Sequence, residues 1–258
     1  MSVRWAILSL AGVLLTGAPA AMAVEPASAQ VDQGWSFSFS PYIWATSIDG
    51  TVTGPGGRDV DFATSFSDLL KDLNFAFMGA AEIRYDRFGL VTDLAYSTLT
   101  GEQDTPFGTL YSGAKADLTQ WIISSAVSYR FHRDRVGFAD ALVGARIFIV
   151  DADVTLKPGD LPKATSSLNK TIAAPTIGLR GHIDIIDGFG LTGLADVGGF
   201  GLGADFTWQV LATVDFELWD GATLRTGYRH MGLNYTNDAG TEIDYNLSGP
   251  IMGVTFRF

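Results

Sequence analysis

The sequence contains no cysteine and only 17% charged residues, and past its first 25 positions no apolar run goes uninterrupted for more than a few residues. Each absence excludes a class of protein. Without cysteine there is no disulfide scaffold, and the lack of thiols suits an oxidising compartment. Without runs of 18 or more apolar residues there is no bundle of membrane-spanning helices. Basic residues are also short: a formal net charge of −11 is the opposite of what a nucleic-acid binder carries, so none is expected as a partner. Disorder is excluded too, because 47% of the residues are hydrophobic. A mean hydropathy of +0.20 therefore describes a chain whose apolar residues are many but dispersed.

The first residues read as an address. Arg4 supplies a positive start, Ala6 to Leu15 form an apolar run too short to span a bilayer, and Ala21-Met22-Ala23 is a small-x-small cleavage pattern. A secretory signal peptide over 1–23 is expected, with Ala27-Ser28-Ala29 as the competing site, cleaved after Ala29. Residues 24–34 then form a periplasmic segment and 35–258 the folded body.

From Trp35 onward the dominant period is two, which sends successive side chains to opposite faces of a strand. Leu73, Phe75, Phe77, Ala81, Ile83 and Tyr85 oppose Asn74, Glu82 and Arg84. Trp121, Ile123, Val127 and Tyr129 oppose Gln120, Ser124, Ser128 and Arg130, and Phe206, Trp208, Val210, Val214 and Phe216 oppose Thr207, Gln209, Thr213, Asp215 and Glu217. About ten such segments are expected: 35–46, 73–87, 88–100, 114–132, 135–150, 173–186, 188–200, 204–218, 221–235 and 241–258. Most run 12 to 18 residues, long for a globular strand and enough to cross a bilayer at a tilt.

Tight turns at Asp86-Arg87, His132 to Arg135, Asp187-Gly188 and Asp220-Gly221 alternate with mostly longer links at 47–72, 101–113, 151–172, 201–203 and 236–240. An even strand count with short turns at one end is the pattern of an all-β, antiparallel, up-and-down transmembrane barrel, which closes so that no strand edge faces lipid. Eight or twelve strands are the alternatives, the latter if 51–62 pairs as an extra hairpin above the membrane.

The strings DVGGFGLGADFTWQ (196–209), PYIWATSIDG (41–50), SFSDLL (65–70), GYR (227–229) and GPIMGVTFRF (249–258) resemble a family of small, largely uncharacterised Gram-negative outer-membrane β-barrel proteins. The resemblance spans Trp35 to Phe258 and implies the cell outer membrane as location; it brings no assigned catalytic residues. The ending Val254, Phe256, Phe258, alternating with Thr255 and Arg257, resembles the membrane-insertion signal of that class. The implied partners are outer-membrane lipids, lipopolysaccharide and the barrel-insertion machinery.

Giving the polar parity of each strand to the lumen yields Glu82, Asp93, Asp140, Asp184, Asp196, Asp215 and Glu217 against Arg84, Arg130, Arg146, Arg180, Arg225, Arg229 and Arg257. Seven against seven points to paired charges filling a narrow barrel more than to a pore selecting one ion sign. Three Gly-x-Arg triplets, at Gly144, Gly178 and Gly227, place each glycine on the face of its guanidinium, where it is expected to leave room beside it. The long links and adjoining strand ends hold 15 acidic against 6 basic residues, −9 of the chain's −11. No segment has the spacing of a calcium loop, so no metal and no cofactor is expected.

Residues 64–73 predict a helix capped by Thr64 or Ser65, with Asp68 in its first turn and Phe66, Leu69, Leu70 and Leu73 on one side, lying across one mouth. Of the histidines, His132 falls in a turn and His182 on the lumen parity near Asp184. His230 would come opposite Asn246 with Ser248 close by, a Ser–His–Asn set able in principle to deacylate lipid. Above Gly249-Pro250 the apolar residues change to odd positions (Ile243, Tyr245, Leu247), which means either a bulge or the end of the lipid zone. The reading expected is a filled, charge-balanced barrel with a structural or surface-interaction role through an unknown loop partner. A narrow passive, porin-like pore is the first alternative and a lipid hydrolase the second.

Overall fold

The alternating segments become strands because each can bury one face only by closing on its neighbours. A computed structural model of the chain describes residues 34–54, 56–104 and 111–258. The expected signal peptide and both cleavage sites lie outside the described residues. The elements are β1 (Trp35–Trp44), β2 (Ser47–Thr53), β3 (Asp59–Thr64), α1 (Phe66–Asp72), β4 (Leu73–Tyr85), β5 (Phe88–Asp104) and β6 (Tyr111–Arg133). They continue as β7 (Gly137–Pro158), β8 (Ala164–Ile186), β9 (Phe189–Leu202), β10 (Ala204–Trp219), β11 (Ala222–Thr236) and β12 (Glu242–Arg257).

Ten strands close an antiparallel ring in the order β1-β4-β5-β6-β7-β8-β9-β10-β11-β12, with β12 returning to β1 through Ser38↔Arg257 and Trp44↔Ile251. Val254 and Phe256 sit on the outward parity at this seam, Phe256 opposite Phe39. The other two strands form the extra hairpin: β2 pairs with the upper part of β12 from Ser47↔Ser248 to Thr53↔Glu242, and β3 pairs with β2. The break between β1 and β2 lies opposite Gly249-Pro250. A Cβ at Gly249 would strike the Ala45 carbonyl, and Pro250 has no N–H to give. On its other side β1 parts from β4 above Pro41↔Gly79, and α1 fills the wedge, packed on β2 and β5.

The outer wall carries two aromatic girdles. Trp35, Tyr85, Phe88, Tyr129 and Trp219 face outward near the short turns; Phe75, Tyr96, Trp121, Phe206 and Trp208 do so higher up. Neighbouring rings touch, with centroids 5.1 Å apart for both Trp35–Tyr85 and Phe88–Tyr129 and 4.2 Å for Tyr96–Trp121. Eight to ten residues separate the girdles along β4 and β6. At about 3.3 Å per residue and a tilt near 40°, the apolar band is roughly 20–25 Å tall, the height of a lipid-facing barrel wall.

Several strands outrun the sequence expectation, and the reason is physical. The links expected at 101–113 and 151–172 are largely strand: β6, β7 and β8 have 23, 22 and 23 residues and stand well above the upper girdle. In the lipid zone the strands read apolar-out and polar-in. Above it the outer face meets water and the pattern inverts, so that Lys115, Asp117 and Thr100 point outward while Leu99, Leu118, Ile122 and Phe148 point in. No face reverses. The parity change above Gly249-Pro250 is therefore the end of the lipid zone: Met231, Leu233 and Leu247 continue the inward row of Arg229 and Ile251.

Candidate functional site

The lumen is stratified. Nearest the short turns lies a cluster built from four strands, β4, β6, β7 and β8. The fully buried Asp140 carboxylate accepts from Arg84 Nη2 (2.9 Å), Arg130 Nε and Nη2 (2.8 and 3.1 Å) and Arg180 Nε and Nη2 (3.2 and 2.6 Å). Glu82 holds the free edges of Arg84 and Arg180, with contacts of 2.6 to 3.0 Å. Ser128 accepts from Arg84, and the Arg130 guanidinium lies 3.7 Å above the Phe138 ring. Beside this cluster, Asp215 accepts from Thr192 (2.5 Å) and Thr213 (2.7 Å), and His182 bridges Thr192 and Asp184.

A second tier lies at mid-height. Arg146, 1% exposed, makes a two-pronged bond to Asp196 (2.8 Å each) and donates to Ser124 and Thr207. Arg229 donates to Gln209, to Tyr42 Oη (3.0 Å) and to Asp93 (2.9 Å). Gln209 in turn donates to Asp196, so seven strands are tied through one hydrogen-bonded web. The upper face of Arg229 is covered by the Trp44 ring at 4.7 Å.

Above that ring the lumen is apolar. Trp44, Leu69, Leu99, Phe148, Met231 and Leu247, each 2% exposed or less, meet across the axis from β1, α1, β5, β7, β11 and β12. The expected charge-balanced filling therefore accounts for only the inner part of the lumen: its outer half is a hydrophobic core. Helix α1 belongs to that core. Ser65 caps it, accepting from the Asp68 N–H at 3.3 Å, and Leu69 is driven inward while Leu70 stays at the surface.

Twelve of the fourteen charges expected in the lumen make ion pairs or hydrogen bonds there, Asp184 through His182 at the rim; Glu217 and Arg257 line the periplasmic mouth. The uncharged partners Tyr42, Thr192, Thr207 and Gln209 are absent from an inventory restricted to charges, although their inward parity was readable. At the Gly-x-Arg triplets, a Cβ on Gly144, Gly178 or Gly227 would run into the carbonyl of Ser125, Ala195 or Ala212. These glycines permit close approach of the neighbouring backbone, and the space beside the guanidinium is not what they supply.

The Ser–His–Asn set is placed differently from expectation. His230 lies opposite Ser248, and Asn246 opposite Gly232. All three take the outward parity: the His230 ring stacks on Trp208 at 4.8 Å, and Ser248 meets the Ser47 hydroxyl at 3.4 Å. On the extension, a hollow of about 520 Å³ is lined by Asp49, Asp61, Phe62, Glu242 and Asp244. Among the described residues no group of three or more His, Cys, Asp or Glu is arranged to hold a metal ion.

A ten-stranded ring, a band of lipid-facing apolar residues between aromatic girdles and a polar lumen together define one architecture. The chain has the fold of an outer-membrane β-barrel. The outer membrane protease OmpT from Escherichia coli is similar to it with a TM-score of 0.55 and 10% identity, covering 88% of this chain and 98% of that one. The transport unit of the autotransporter AIDA-I from Escherichia coli (TM-score 0.41, 8% identity, 89% and 92% covered) and Ail, the attachment invasion locus protein of Yersinia pestis (0.35, 13%, 88% and 99%), are more distant. The first of these supports the fold of the barrel and, at that identity, nothing about activity. No protein-family model matches the chain, and no curated protein does.

Proposed function

We propose that the chain is a closed, non-conducting outer-membrane barrel that acts structurally or through its extracellular extension, and that it performs no catalysis. One observation carries this reading: the apolar tier formed by Trp44, Leu69, Phe148, Met231 and Leu247 crosses the lumen above two tiers of paired charges. Ions would have to pass a hydrophobic constriction and then displace buried pairs. The working surface is then the acidic extension of β2, β3 and the upper parts of β5–β8, β11 and β12, where divalent cations can bridge its carboxylates to lipopolysaccharide phosphates. Purified protein in planar bilayers should give no single-channel steps. Reproducible steps would overturn the closed-barrel reading in favour of a narrow pore.

A further inference from the structure

Below the lower cluster the lumen widens into a cavity of about 890 Å³ that opens at the periplasmic rim. Its two sides differ in chemistry. On the side of β4 to β8, Arg84, Arg130 and Arg180 all donate to Glu82 or Asp140. On the side of β10, β11, β12 and β1, two guanidiniums make no hydrogen bond among the described residues: Arg225, held only by an ion pair with Asp215, and Arg257. Arg225 Nε stands 3.4 Å from Asp215 Oδ2 without forming a hydrogen bond, and it is buried with no other acceptor. That carboxylate is already shared by Thr192, Thr213 and His182. Arg257, four residues along β12 from the partner of Arg225 and so roughly 10 Å closer to the rim at a tilt near 40°, has no side-chain partner among the described residues. The hydroxyls of Ser36, Ser38 and Thr223 line the same strip and are likewise without hydrogen bonds among the described residues.

A guanidinium carries five N–H donors in a fork shaped for oxyanions, and desolvating such donors without acceptors is costly. We propose that this strip binds a phosphate group borne by a small hydroxylated solute from the periplasm. Arg257 supplies a cation without an acidic partner, Arg225 keeps donors that Asp215 does not use, and three hydroxyls add donors for the further oxygens that a phosphate has and a carboxylate lacks. The strands around the cavity are hydrogen-bonded in a closed ring and turn residues Asp86, Asp134, Gly188 and Gly221 line its rim, so the phosphate arrives from water and not on a lipid headgroup. Glu217, which lines the cavity opposite Thr223, opposes the anion and tunes its affinity.

The test is calorimetric titration of detergent-solubilised, lipid-free protein with inorganic phosphate, glycerol 3-phosphate and glycerol, repeated in phosphatidylglycerol nanodiscs. Saturable binding of both phosphates and none of glycerol is expected. Affinity should fall about tenfold or more in Arg225→Gln and in Arg257→Gln, less in Arg225→Lys, and rise in Glu217→Gln. Arg58→Gln, in the outer hairpin turn, should leave it unchanged. Heat-modifiable migration confirms that each variant is folded. Absence of saturable binding up to about 10 mM, binding undiminished in the Arg225/Arg257 double variant, or a phosphate effect seen only with lipid present would each overturn the assignment.

Discussion

Asp140 has three guanidiniums on one carboxylate, and the charge arithmetic of its cluster yields an asymmetric prediction. Arg84, Arg130 and Arg180 face Glu82 and Asp140, a sum of +1 around a carboxylate, Asp140, that is itself fully buried. Asp140→Asn raises that sum to +2 and turns an amide N–H₂ toward a guanidinium. Removing one partner of a buried ion pair costs about 3–5 kcal/mol. Arg130→Met instead lowers the sum to zero and keeps the volume; Asp140 retains Arg84 and Arg180, and the loss is about 1–3 kcal/mol, including the stack on Phe138. The double variant returns the cluster to +1, so its cost should fall short of the sum of the single costs by at least ~1 kcal/mol. The measurement is equilibrium urea unfolding of protein refolded into thin-bilayer vesicles, followed by fluorescence of the barrel's tryptophans, Trp35, Trp44, Trp121, Trp208 and Trp219. If Arg130→Met proves the costlier change, or if the two costs add within about 0.5 kcal/mol, the cluster is not held by charge balance and the reasoning fails.

Three further outcomes are expected. Phe148→Ala, which empties the centre of the apolar tier, should cost about 3–5 kcal/mol in the same unfolding assay; a cost below about 1 would mean that the tier is not packed. Gly227→Ala, whose Cβ meets the Ala212 carbonyl, should cost about 1–3 kcal/mol, while Gly193→Ala, with open space around it, should stay within about 0.5; equal effects would refute the close-approach reading. In the turn between β6 and β7, Asp134 accepts the N–H groups of Val136 and Gly137, which hold its carboxyl below the usual range. Because the folded value is the lower one, this carboxylate stabilises above the unfolded value of about 4, and the contribution disappears as pH falls through the folded one. Asp134→Ala should therefore narrow its stability deficit on acidification, and a deficit independent of pH would contradict the assignment.

How much of this was readable in advance depended on which solvent each face met. The ladder from Leu73 to Tyr85 and that from Trp121 to Tyr129 declare themselves because lipid demands an apolar residue at every second position. The same rule hides the extension. On β7, Asp151 and Asp153 break the outward apolar row at the height where water replaces lipid, so a search for continuous apolar-out alternation stops there. Residues 51–62 could be suspected of forming a hairpin, but its partner could not be named, since the attachment of β2 to β12 is a long-range fact. For the lumen, parity placed the charges on the inner wall. Which of them meet depends on barrel diameter and stagger, which no local pattern carries: Arg229 and Asp93 are 136 residues apart. His230 and Ser248 faced one another as neighbours, but parity turned both to the outer wall.

The inversion also explains why the lumen is closed at one end and open at the other. A strand leaving the membrane needs a new apolar face, because its outer side has become wet; the inner side then takes over burial, and side chains large enough to meet across a ten-stranded ring seal it. Trp44 stands at this boundary, its ring lying over Arg229 while its edge joins Phe148 and Leu247 in the core. At the periplasmic end no such demand exists. The strands finish in two- and three-residue turns at the lower girdle, and the inner wall stays polar down to Ser36 and Arg257. Closure at the extracellular side is thus a consequence of how far β5 to β8, β11 and β12 project beyond the lipid. The wide polar mouth below needs no plug for stability, which leaves Arg257 and the unused donors of Arg225 free for a ligand.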